Sequence, residues 1–360
     1  MGIYGAFKFN LSLKKIVGVD IGYSSIKILE LSKSGSKYIL DSIDIIDLPS
    51  GIVADGFIKD HASAVSYIKS SFANHDIKDK NIIISIPCKY VIIKNIDMPK
   101  MKESELDSAI FYEAQQYITY DIKEVSFDYM ILGDSATDAG SNLIMIIAGK
   151  EDIINDRVDL INECGLHSPI VDVDCIATEN MFNFNYPEET DQIAGIIKVG
   201  ATETNVHIVN KGFNLFRRDI PIGGVNITEE IAKKFQMDFN EAENIKTGGI
   251  EKRDANFKTN YMIFANMIVA RITTEIQRTI DYFAANNDKQ YPKKIFLTGG
   301  SAMLTGLSGD IETKLNIPVT IINPFRKIVF NQNISNTNFI ETKSSLFGVA
   351  AGLAIRGLQP

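Results

Sequence analysis

The chain has 360 residues, of which 45% are hydrophobic and 23% are charged, and its formal net charge is −8. This composition is that of a globular protein long enough for two or more domains. The acidic balance argues against a general nucleic-acid binder, because that role needs a basic face. Cys88, Cys164 and Cys175 form no CxxC pair, which predicts a reduced, cytoplasmic setting. The four histidines are scattered singly, which argues against a metal site.

Strands and helices are both predicted along the chain from the spacing of the apolar residues. In chain order, the pattern predicts a strand pair at 16–31, a strand at 38–46, a helix at 59–72, strands at 81–87 and 91–96, a helix at 103–117, strands at 126–132 and 143–148, and a helix at 152–164. Residues 88–167 thus form a strand–helix–strand–strand–helix module, which lacks a Gly/Ser linker and is expected to be an insertion. Residues 1–12 are expected to be a loose tail. No apolar run approaches the roughly 20 residues that a transmembrane helix needs.

The stretch "GVDIGYSSIKILEL" places a carboxylate, Asp20, at the end of a strand and a small polar turn, Gly22–Ser25, directly after it. A second strand–turn–strand begins at residue 195 with "GIIKVGATETNVHIV". Alignment of the two stretches places Gly22 on Gly200, and the residues that follow each glycine pair in order. This weak internal repeat predicts two like domains that face each other. Each turn taken alone could equally be a plain hairpin.

Turns of this kind suit phosphate, because glycine lets the backbone approach and successive N–H groups form a concave anion site. Asp20 at the adjoining strand end would hold a hydrated magnesium ion. Two further glycine segments, Gly223–Gly224 and Gly299–Ser301, precede helices, where backbone can lie against a base or a phosphate. Glu243 and Lys246 lie three residues apart on one helical face. The plain alternatives are a strand–helix connection at Gly299 and a surface ion pair at Glu243.

These segments, in this order, resemble the actin-like ATPase superfamily. Within it they are most similar to the PilM family of type IV pilus assembly proteins, relatives of the cell-division protein FtsA. The resemblance covers nearly the whole chain from about Leu13. It rests on "GVDIGYSSIKILEL" (18–31), "DMPKMKESELDSAIFYEAQQYITYDIKEVSFDYMILG" (97–133), "RDIPIGGVNITEEIAKKF" (218–235), "EAENIK" (241–246), "RTIDYF" (278–283), "LTGGSAMLTGL" (297–307) and "SLFGVAAGLAIRGL" (345–358). The 97–133 stretch and the C-terminal helix point to this family in particular.

The resemblance implies an α/β, actin-like ATPase fold with two related domains around a nucleotide cleft and an FtsA-like inserted subdomain. It also implies a division of the chain. Subdomain 1A would take residues 13–87, 168–190 and 342–360, the inserted subdomain 1C residues 88–167, subdomain 2A residues 191–225 and 293–341, and subdomain 2B residues 226–292.

The resemblance further implies a site for ATP and Mg²⁺. Asp20 would orient magnesium-bound water, and it is the one candidate for a catalytic role. The first phosphate turn would consist of Gly22, Tyr23, Ser24, Ser25 and Lys27, and the second of Gly200, Ala201 and Thr202. Glu243 and Lys246 would flank the ribose and adenine. The base pocket would be closed by Gly299, Gly300, Ser301 and Met303. The wider set of nucleotide-binding residues adds Lys198, Glu203, Thr204, Gly223 and Gly224.

One residue departs from the superfamily pattern. The second phosphate turn usually opens with an acid, and here Lys198 stands in that place. A lysine could contact phosphate directly, but it is ordinarily protonated at neutral pH and so could not act as a base toward an attacking water. We therefore expect nucleotide binding with slow or absent hydrolysis, at most a weak ATPase. The plain alternative is that Lys198 points to solvent.

The implied function is that of a cytoplasmic ATP-binding scaffold of the type IV pilus inner-membrane complex, held at the membrane through its partner. That partner would be a PilN-like inner-membrane protein, whose N-terminal tail would lie in a groove between subdomains 1A and 1C. Contact with the pilus motor machinery and self-association are further expectations. No contact with nucleic acid and no transmembrane segment is expected. The same resemblance leaves open a related secretion system.

Two alternatives remain from other functional classes. A sugar or acetate kinase of the same fold would need a catalytic acid, for which Asp172 and Asp174 are the only candidates, and both could merely end a strand. An FtsA-like filament-forming division protein normally carries a C-terminal amphipathic membrane helix, which is not expected here. The GxxxG formed by Gly348 and Gly352 is instead expected to pack against another helix of the same chain.

Overall fold

The computed structural model describes residues 14–118, 121, 124–135, 138–334, 340 and 342–359, so the tail predicted at residues 1–12 lies outside the described residues. The described residues form two compact units. The first unit contains those up to Ala177, Val329–Asn333 and those from Val349 onward, and the second contains Thr178–Ile328 and those from Ile334 to Gly348. The four predicted subdomains are a finer division than these two units and stay a prediction.

The strands and helices are numbered in chain order. The strands are β1 (Lys15–Ile21), β2 (Ser25–Ser34), β3 (Lys37–Asp47), β4 (Val53–Ala54), β5 (Phe57–Ile58), β6 (Asn81–Ile86), β7 (Val91–Pro99), β8 (Val125–Asp134), β9 (Ser141–Lys150), β10 (His167–Val173), β11 (Ala194–Val199), β12 (Thr204–Asn210), β13 (Phe213–Ile220), β14 (Lys294–Thr298), β15 (Val319–Ile321) and β16 (Ile328–Phe330). The α-helices are α1 (His61–Asn74), α2 (Glu103–Ala114), α3 (Glu151–Glu163), α4 (Asp174–Asn185), α5 (Gly224–Phe235), α6 (Phe239–Lys246), α7 (Ala255–Ala285), α8 (Leu307–Leu315) and α9 (Gly348–Leu358). The elements predicted between residues 16 and 164 are all present, with ends shifted by three residues or fewer.

A six-stranded sheet in the order β10–β6–β1–β2–β3–β16 forms the centre of the first unit. β1, β2 and β3 pair antiparallel, whereas β6 runs parallel to β1 and to β10. Val17 and Val19 of β1 pack with Ile68 of α1 and Leu160 of α3 on one face of this sheet. Burial of aliphatic side chains of this size stabilises the fold by about 1.5–3 kcal/mol each. The alternation in β1 therefore places both helices on the same face.

Helix α9 packs closely within the first unit. A Cβ on Gly18 of β1 would overlap the carbonyl of Ala350, and a Cβ on Gly352 would overlap the carbonyl of Ala177 in α4. Both positions are therefore restricted to glycine by close backbone approach. The expectation that the GxxxG segment packs against another helix of the same chain is confirmed at Gly352.

The segment between β6 and β10 contains a three-stranded antiparallel sheet in the order β7–β9–β8. Alternate residues of β9 face opposite sides of this sheet. Ile144 and Ile146 pack with Leu106 and Ile110 of α2, so this face of the helix is buried. Residues 145 and 147 lie in a second cluster with Val173.

The second unit contains a five-stranded sheet in the order β13–β12–β11–β14–β15. β11 pairs antiparallel with β12 and parallel with β14. Ile197, Val206 and Leu297 of this sheet pack with α5, α6, α7 and α8 in one core. The side chains of Phe182 in α4 and Phe296 in β14 pack edge to face, with ring centroids 4.8 Å apart.

None of the helices in the described ranges combines the length and the apolar character that a bilayer-crossing segment needs.

Candidate functional site

The first candidate segment is the turn between β1 and β2. The N–H of Gly22 donates to the Ser25 carbonyl at 3.0 Å, and the N–H of Leu48 donates to the Ser24 carbonyl at 2.9 Å. The N–H groups of Tyr23 and Ser24 find no acceptor within the described part of the chain. Adjacent unused N–H groups in a tight turn are donors of the kind that bind a phosphate oxygen.

Asp20 lies near the end of β1, directly opposite Lys27 of β2. The Nζ of Lys27 lies 3.3 Å from Asp20 Oδ2 and also donates to the Ser25 carbonyl at 3.3 Å. The side chain of Asp20 is only 15% exposed and that of Lys27 only 12%. Magnesium takes one or two carboxylates together with water and phosphate. Because Lys27 already pairs with Asp20, we expect magnesium here only together with nucleotide phosphates.

Arg157 of α3 supports the same turn from inside the first unit, and the sequence analysis missed it. Its guanidinium is fully buried and donates to the Ile21 carbonyl and to the Gly56 carbonyl, both at 2.9 Å. Burial lowers the pKa of Arg157, and nearby Asp156 and Asp20 oppose that shift. A signal for this residue exists, because Arg157 lies four residues after Ile153 and three before Leu160 on the apolar stripe of α3.

The turn between β11 and β12 repeats the geometry of the first turn. The N–H of Gly200 donates to the Glu203 carbonyl at 2.9 Å, as that of Gly22 does to Ser25. The N–H groups of Ala201 and Thr202 have no acceptor among the described residues. The hydrogen-bonded pairing therefore supports the internal repeat that the sequence alignment predicts.

The register of the two hairpins also confirms the alignment at Lys198. Asp20 is two residues before its turn glycine and pairs with Lys27, whereas Lys198 is two residues before Gly200 and pairs with Asn205. Lys198 thus occupies the position in the second hairpin that the carboxylate occupies in the first. Its side chain is half-buried and has interactions of its own.

The Gly223–Gly224 segment packs directly on the second turn. The N–H of Gly224 donates to the Gly200 carbonyl at 2.9 Å, and the N–H of Val225 donates to the Ala201 carbonyl at 2.7 Å. A Cβ on Gly223 would lie 2.5 Å from the Ala201 carbonyl oxygen. Glycine is therefore needed at 223 for the two backbones to approach. The hydroxyl of Thr204 donates to the Ile222 carbonyl at 2.8 Å and anchors the same segment.

Lys246 of α6 reaches the start of α5. Its Nζ lies 2.7 Å from Glu243 Oε2, 2.8 Å from Thr228 Oγ1 and 3.0 Å from the Gly224 carbonyl oxygen. The Lys246 side chain is only 9% exposed, whereas that of Glu243 is 40% exposed, so the pair has one buried and one exposed partner. Burial lowers the pKa of Lys246, although the bond to Glu243 opposes the shift. The lysine thus fixes a positive charge next to the glycine segment at 223 and 224.

The segment after β14 approaches the same place in the second unit. Gly299 has φ +93°, and a Cβ on it would lie 2.5 Å from the Val199 carbonyl oxygen. The hydroxyl of Ser301 lies where a Cβ on Gly224 would be. Gly300 and Met303 bound the short 3-10 helix that follows, and Met303 is exposed. The predicted residues of the second unit therefore converge around one turn.

A buried polar cluster lies beside that turn, and the sequence analysis did not identify it. Oε1 of Glu179 in α4 lies 2.8 Å from Arg217 Nη2, accepts from Asn214 Nδ2 at 2.8 Å, and lies 3.2 Å from His207 Nδ1. Burial alone would raise the pKa of Glu179, but Arg217 and His207 overcome this effect and lower it to about 2. Burial also lowers the pKa of His207. In the folded chain, Glu179 is therefore held in its ionised form and His207 in its neutral form.

Asn205, two residues before His207 on β12, makes a separate set of hydrogen bonds at the second turn. Its Nδ2 donates to Asp219 Oδ1 at 2.6 Å and to Glu203 Oε1 at 3.1 Å. Asn205 pairs with Asp219 across β12 and β13, and His207 pairs with Arg217. Asn205 thereby links Glu203 of the turn to Asp219 of β13.

Asp172 and Asp174, the acids considered for a kinase, both accept hydrogen bonds from backbone N–H groups. Asp172 Oδ1 accepts from the Val173 N–H at 2.7 Å, and Asp174 Oδ1 accepts from the Cys88 N–H at 2.9 Å. They lie at the end of β10 and the beginning of α4.

The residues of the second unit suit a nucleotide triphosphate in their donor chemistry. The unused N–H groups at Ala201 and Thr202 are donors to anionic oxygen. The ammonium group of Lys246 adds positive charge nearby, although Glu243, Thr228 and the Gly224 carbonyl already accept its three N–H groups. The glycines at 223, 224 and 299 remove the side chains that would separate these backbones. The chain has the actin-like ATPase fold, with its phosphate-type turn occurring once in each unit.

A family model described as "Type IV pilus assembly protein PilM" matches residues 18–358, and the chain belongs to this family. It is similar to a solved structure of a "PilM-PilN type IV pilus biogenesis complex", with a TM-score of 0.84, 23% identity, and coverage of 97% of this chain and 100% of that chain. The ethanolamine utilization protein EutJ from Carboxydothermus hydrogenoformans matches with a TM-score of 0.57 and 15% identity, covering 95% of this chain and 89% of that one. The cell division protein FtsA of Bacillus subtilis (strain 168) is 20% identical over 352 residues, which cover 86% of this chain and 78% of that protein.

Proposed function

We propose that this chain is an ATP-binding scaffold of the type IV pilus assembly complex that binds the N-terminal tail of a PilN-like inner-membrane protein. Membership of the PilM family places it in pilus assembly. The observation that carries the nucleotide part is the convergence of Gly223–Gly224, Gly299–Ser301 and Lys246 on the turn at Gly200. The protein would sit at the inner membrane through its partner and couple that partner to the pilus motor.

Each of the two turns, taken by itself, offers backbone donors that would bind phosphate oxygens. In the second unit these are the N–H groups of Ala201 and Thr202, and in the first unit those of Tyr23 and Ser24, with Lys27 beside them. Glu243 and Lys246 would flank the ribose and adenine, and Gly299, Gly300, Ser301 and Met303 would border the base. When bound, magnesium would neutralise phosphate charge, with Asp20 as the protein carboxylate that orients its water.

Hydrolysis would be slow or absent because of Lys198. A base toward an attacking water needs an unprotonated acceptor near the operating pH. The second hairpin offers an ammonium group at the position where the first hairpin offers the Asp20 carboxylate. Lys198 would attract phosphate but accept no proton. ATP would then act as a structural ligand rather than as a source of free energy from hydrolysis.

The partner is proposed from the family and from the complex that the chain resembles. The solved relative is a PilM–PilN complex and covers 97% of this chain. By that likeness, the tail would lie in a groove between the inserted segment 88–167, which contains the sheet β7–β9–β8, and the rest of the first unit. Extended tails bind well to such surfaces, because main-chain hydrogen bonds supply affinity and alternate side chains supply specificity.

The experiment uses full-length chain purified without added nucleotide. Bound nucleotide is identified by chromatography after denaturation, and phosphate release is then measured with ATP and magnesium, with the Asp20→Ala variant as the control. We expect ATP to bind with negligible release. Failure of wild-type chain to bind any nucleotide would overturn the ATP part, and rapid, Asp20-dependent release would overturn the scaffold part. Binding of a fluorescent PilN tail peptide by the same preparations tests the partner part separately.

A further inference from the structure

Two of the three cysteines are in contact inside the first unit. The Sγ atoms of Cys88 and Cys175 lie 2.9 Å apart, although 87 residues separate them in the chain. Cys88 directly follows β6 and Pro87, and Cys175 lies in the first turn of α4. Both thiols are reduced and almost fully buried, with 5% and 1% of their residue surfaces exposed. Neither the proposed nucleotide site nor the proposed partner surface makes use of this pair.

The main chain holds the two sulfurs together. The N–H of Cys88 donates to Asp174 Oδ1 at 2.9 Å, which ties the segment after β6 to the residue preceding Cys175. Met145 and Ile147 of β9 and Ile176 of α4 pack around the pair in one apolar cluster. Side-chain rotation therefore has little room to separate the two thiols. The pair is a built feature of the fold.

The third cysteine provides the contrast. Cys164 follows α3 and packs in a different cluster, with Ile68 and Leu160. Burial raises the pKa of the Cys164 thiol to about 11. Cys164 has no cysteine sulfur in its own cluster, so it lacks the neighbouring thiol that forms an intrachain disulfide. Cys164 is therefore a natural internal control for the pair.

We propose that Cys88 and Cys175 are a redox modification site, which a peroxide converts to a reversible intrachain disulfide. A disulfide has an S–S length of about 2.05 Å, so the sulfurs need to approach by roughly 0.9 Å from their present 2.9 Å. The product carries no charge, which suits its apolar surroundings. A metal held by the two sulfurs and Asp174, whose donor atoms lie within 4.8 Å of one another, would instead require two thiolates in that cluster.

The reaction balances with hydrogen peroxide as the oxidant. One sulfur attacks a peroxide oxygen, which breaks the O–O bond, releases water and leaves a sulfenic acid. The second sulfur attacks the sulfenic sulfur, forms the S–S bond and expels a second water. Two thiol S–H bonds are lost, and their two electrons and two protons end in the two water molecules. A dithiol reductant reverses the step by exchange.

The bond would join the beginning of the inserted segment to the beginning of α4. It would close a loop of 88 residues, and a cross-link of this length stabilises a fold by restricting its unfolded chain. The oxidised chain is therefore expected to melt at a higher temperature than the reduced chain. This effect does not depend on nucleotide or partner, so it goes beyond the proposed function.

The test uses the full chain, reduced, freed of reductant and titrated with hydrogen peroxide while folded. Remaining thiols are blocked with N-ethylmaleimide under denaturing conditions and counted by intact mass. We expect two of the three blocking adducts to be lost together, a peptide pair linked through Cys88 and Cys175, and a melting temperature several degrees higher that dithiothreitol reverses. These wild-type measurements need no variant to fold.

Matched variants sharpen the result. Cys164→Ser should oxidise as the wild type does, whereas Cys88→Ser and Cys175→Ser should each lose the linked product and the temperature shift. Equal oxidation of all three thiols, or resistance of the folded chain to excess peroxide, would overturn the proposal. So would stoichiometric zinc in the purified chain, measured by elemental analysis and lost in both pair variants.

Discussion

The ribbon β1–β2–β3 of the first unit and the ribbon β11–β12–β13 of the second share one backbone register but carry different side chains. In the first ribbon, Leu29 lies opposite Ile43. At the equivalent positions of the second ribbon, His207 lies opposite Arg217. The turns themselves retain the same hydrogen bond, from Gly22 to Ser25 and from Gly200 to Glu203.

The comparison teaches that the main chain of the turn is what repeats, while the neighbouring core is free to change. An apolar pair in the first ribbon needs only burial. The polar pair in the second ribbon needs a counter-charge, which Glu179 of α4 supplies. The charge at the strand end is reversed as well, since Lys198 occupies the position in the second hairpin that corresponds to Asp20 in the first. Two units that look alike in backbone are thus expected to differ in their response to mutation and acid.

The largest expected effect comes from removing the counter-charge. Glu179→Ala leaves the Arg217 guanidinium buried without its carboxylate, and loss of one partner of a buried ion pair costs about 3–5 kcal/mol. Urea unfolding followed by far-ultraviolet circular dichroism measures this loss. The triple replacement Glu179→Leu, His207→Leu and Arg217→Ile imitates the first ribbon and should recover most of it. A loss below about 1 kcal/mol for Glu179→Ala would show that the cluster does not stabilise the second unit.

A smaller effect is expected from making the two strand ends alike. Lys198→Asp supplies a second carboxylate that can accept a proton, so ATP hydrolysis should rise on the order of tenfold or more, given the usual size of acid–base contributions. The measurement is phosphate release with ATP and magnesium, and Lys198→Gln, which removes the charge without adding an acceptor, is its control. Unchanged release by Lys198→Asp while ATP remains bound would contradict the role assigned to Lys198.

The smallest expected effect is the response to acid. The folded-state pKa of Glu179 is about 2, below its usual 4.5, and that of His207 is also lowered from 6.5. Groups with depressed pKa values bind fewer protons when folded, so stability is lost as pH falls, from His207 below 6.5 and from Glu179 below 4.5. The Glu179 part amounts to roughly 1 kcal/mol at pH 4. Melting temperatures between pH 7 and pH 4 should fall more steeply for wild type than for the triple variant. Parallel curves would remove this distinction between the units.

The sequence predicted local features well, because these features depend on residues that are close together in the chain. The strands, the turn glycines at 22 and 200 and the alignment of the hairpins follow from side-chain period and from backbone freedom within a few residues. The Lys198 position came from the family resemblance, in which an acid usually opens the second turn. Arg157 could have been identified from the sequence, because an arginine on an otherwise apolar helix stripe indicates a buried charge. Its hydrogen-bond acceptors, the carbonyls of Ile21 and Gly56, could not be identified from the sequence.

The sequence by itself determined the α/β character, the repeated phosphate-type turn and the family resemblance, because these are encoded in local pattern. Only the tertiary structure decided that Glu179 meets His207 and Arg217, that Lys246 reaches Gly224, and that the sulfurs of residues 88 and 175 touch. Those pairings join positions 22 to 87 residues apart, and no local spacing specifies them. They arise because the packing of apolar cores places particular strands and helices side by side, which brings into contact polar groups that are distant in the chain.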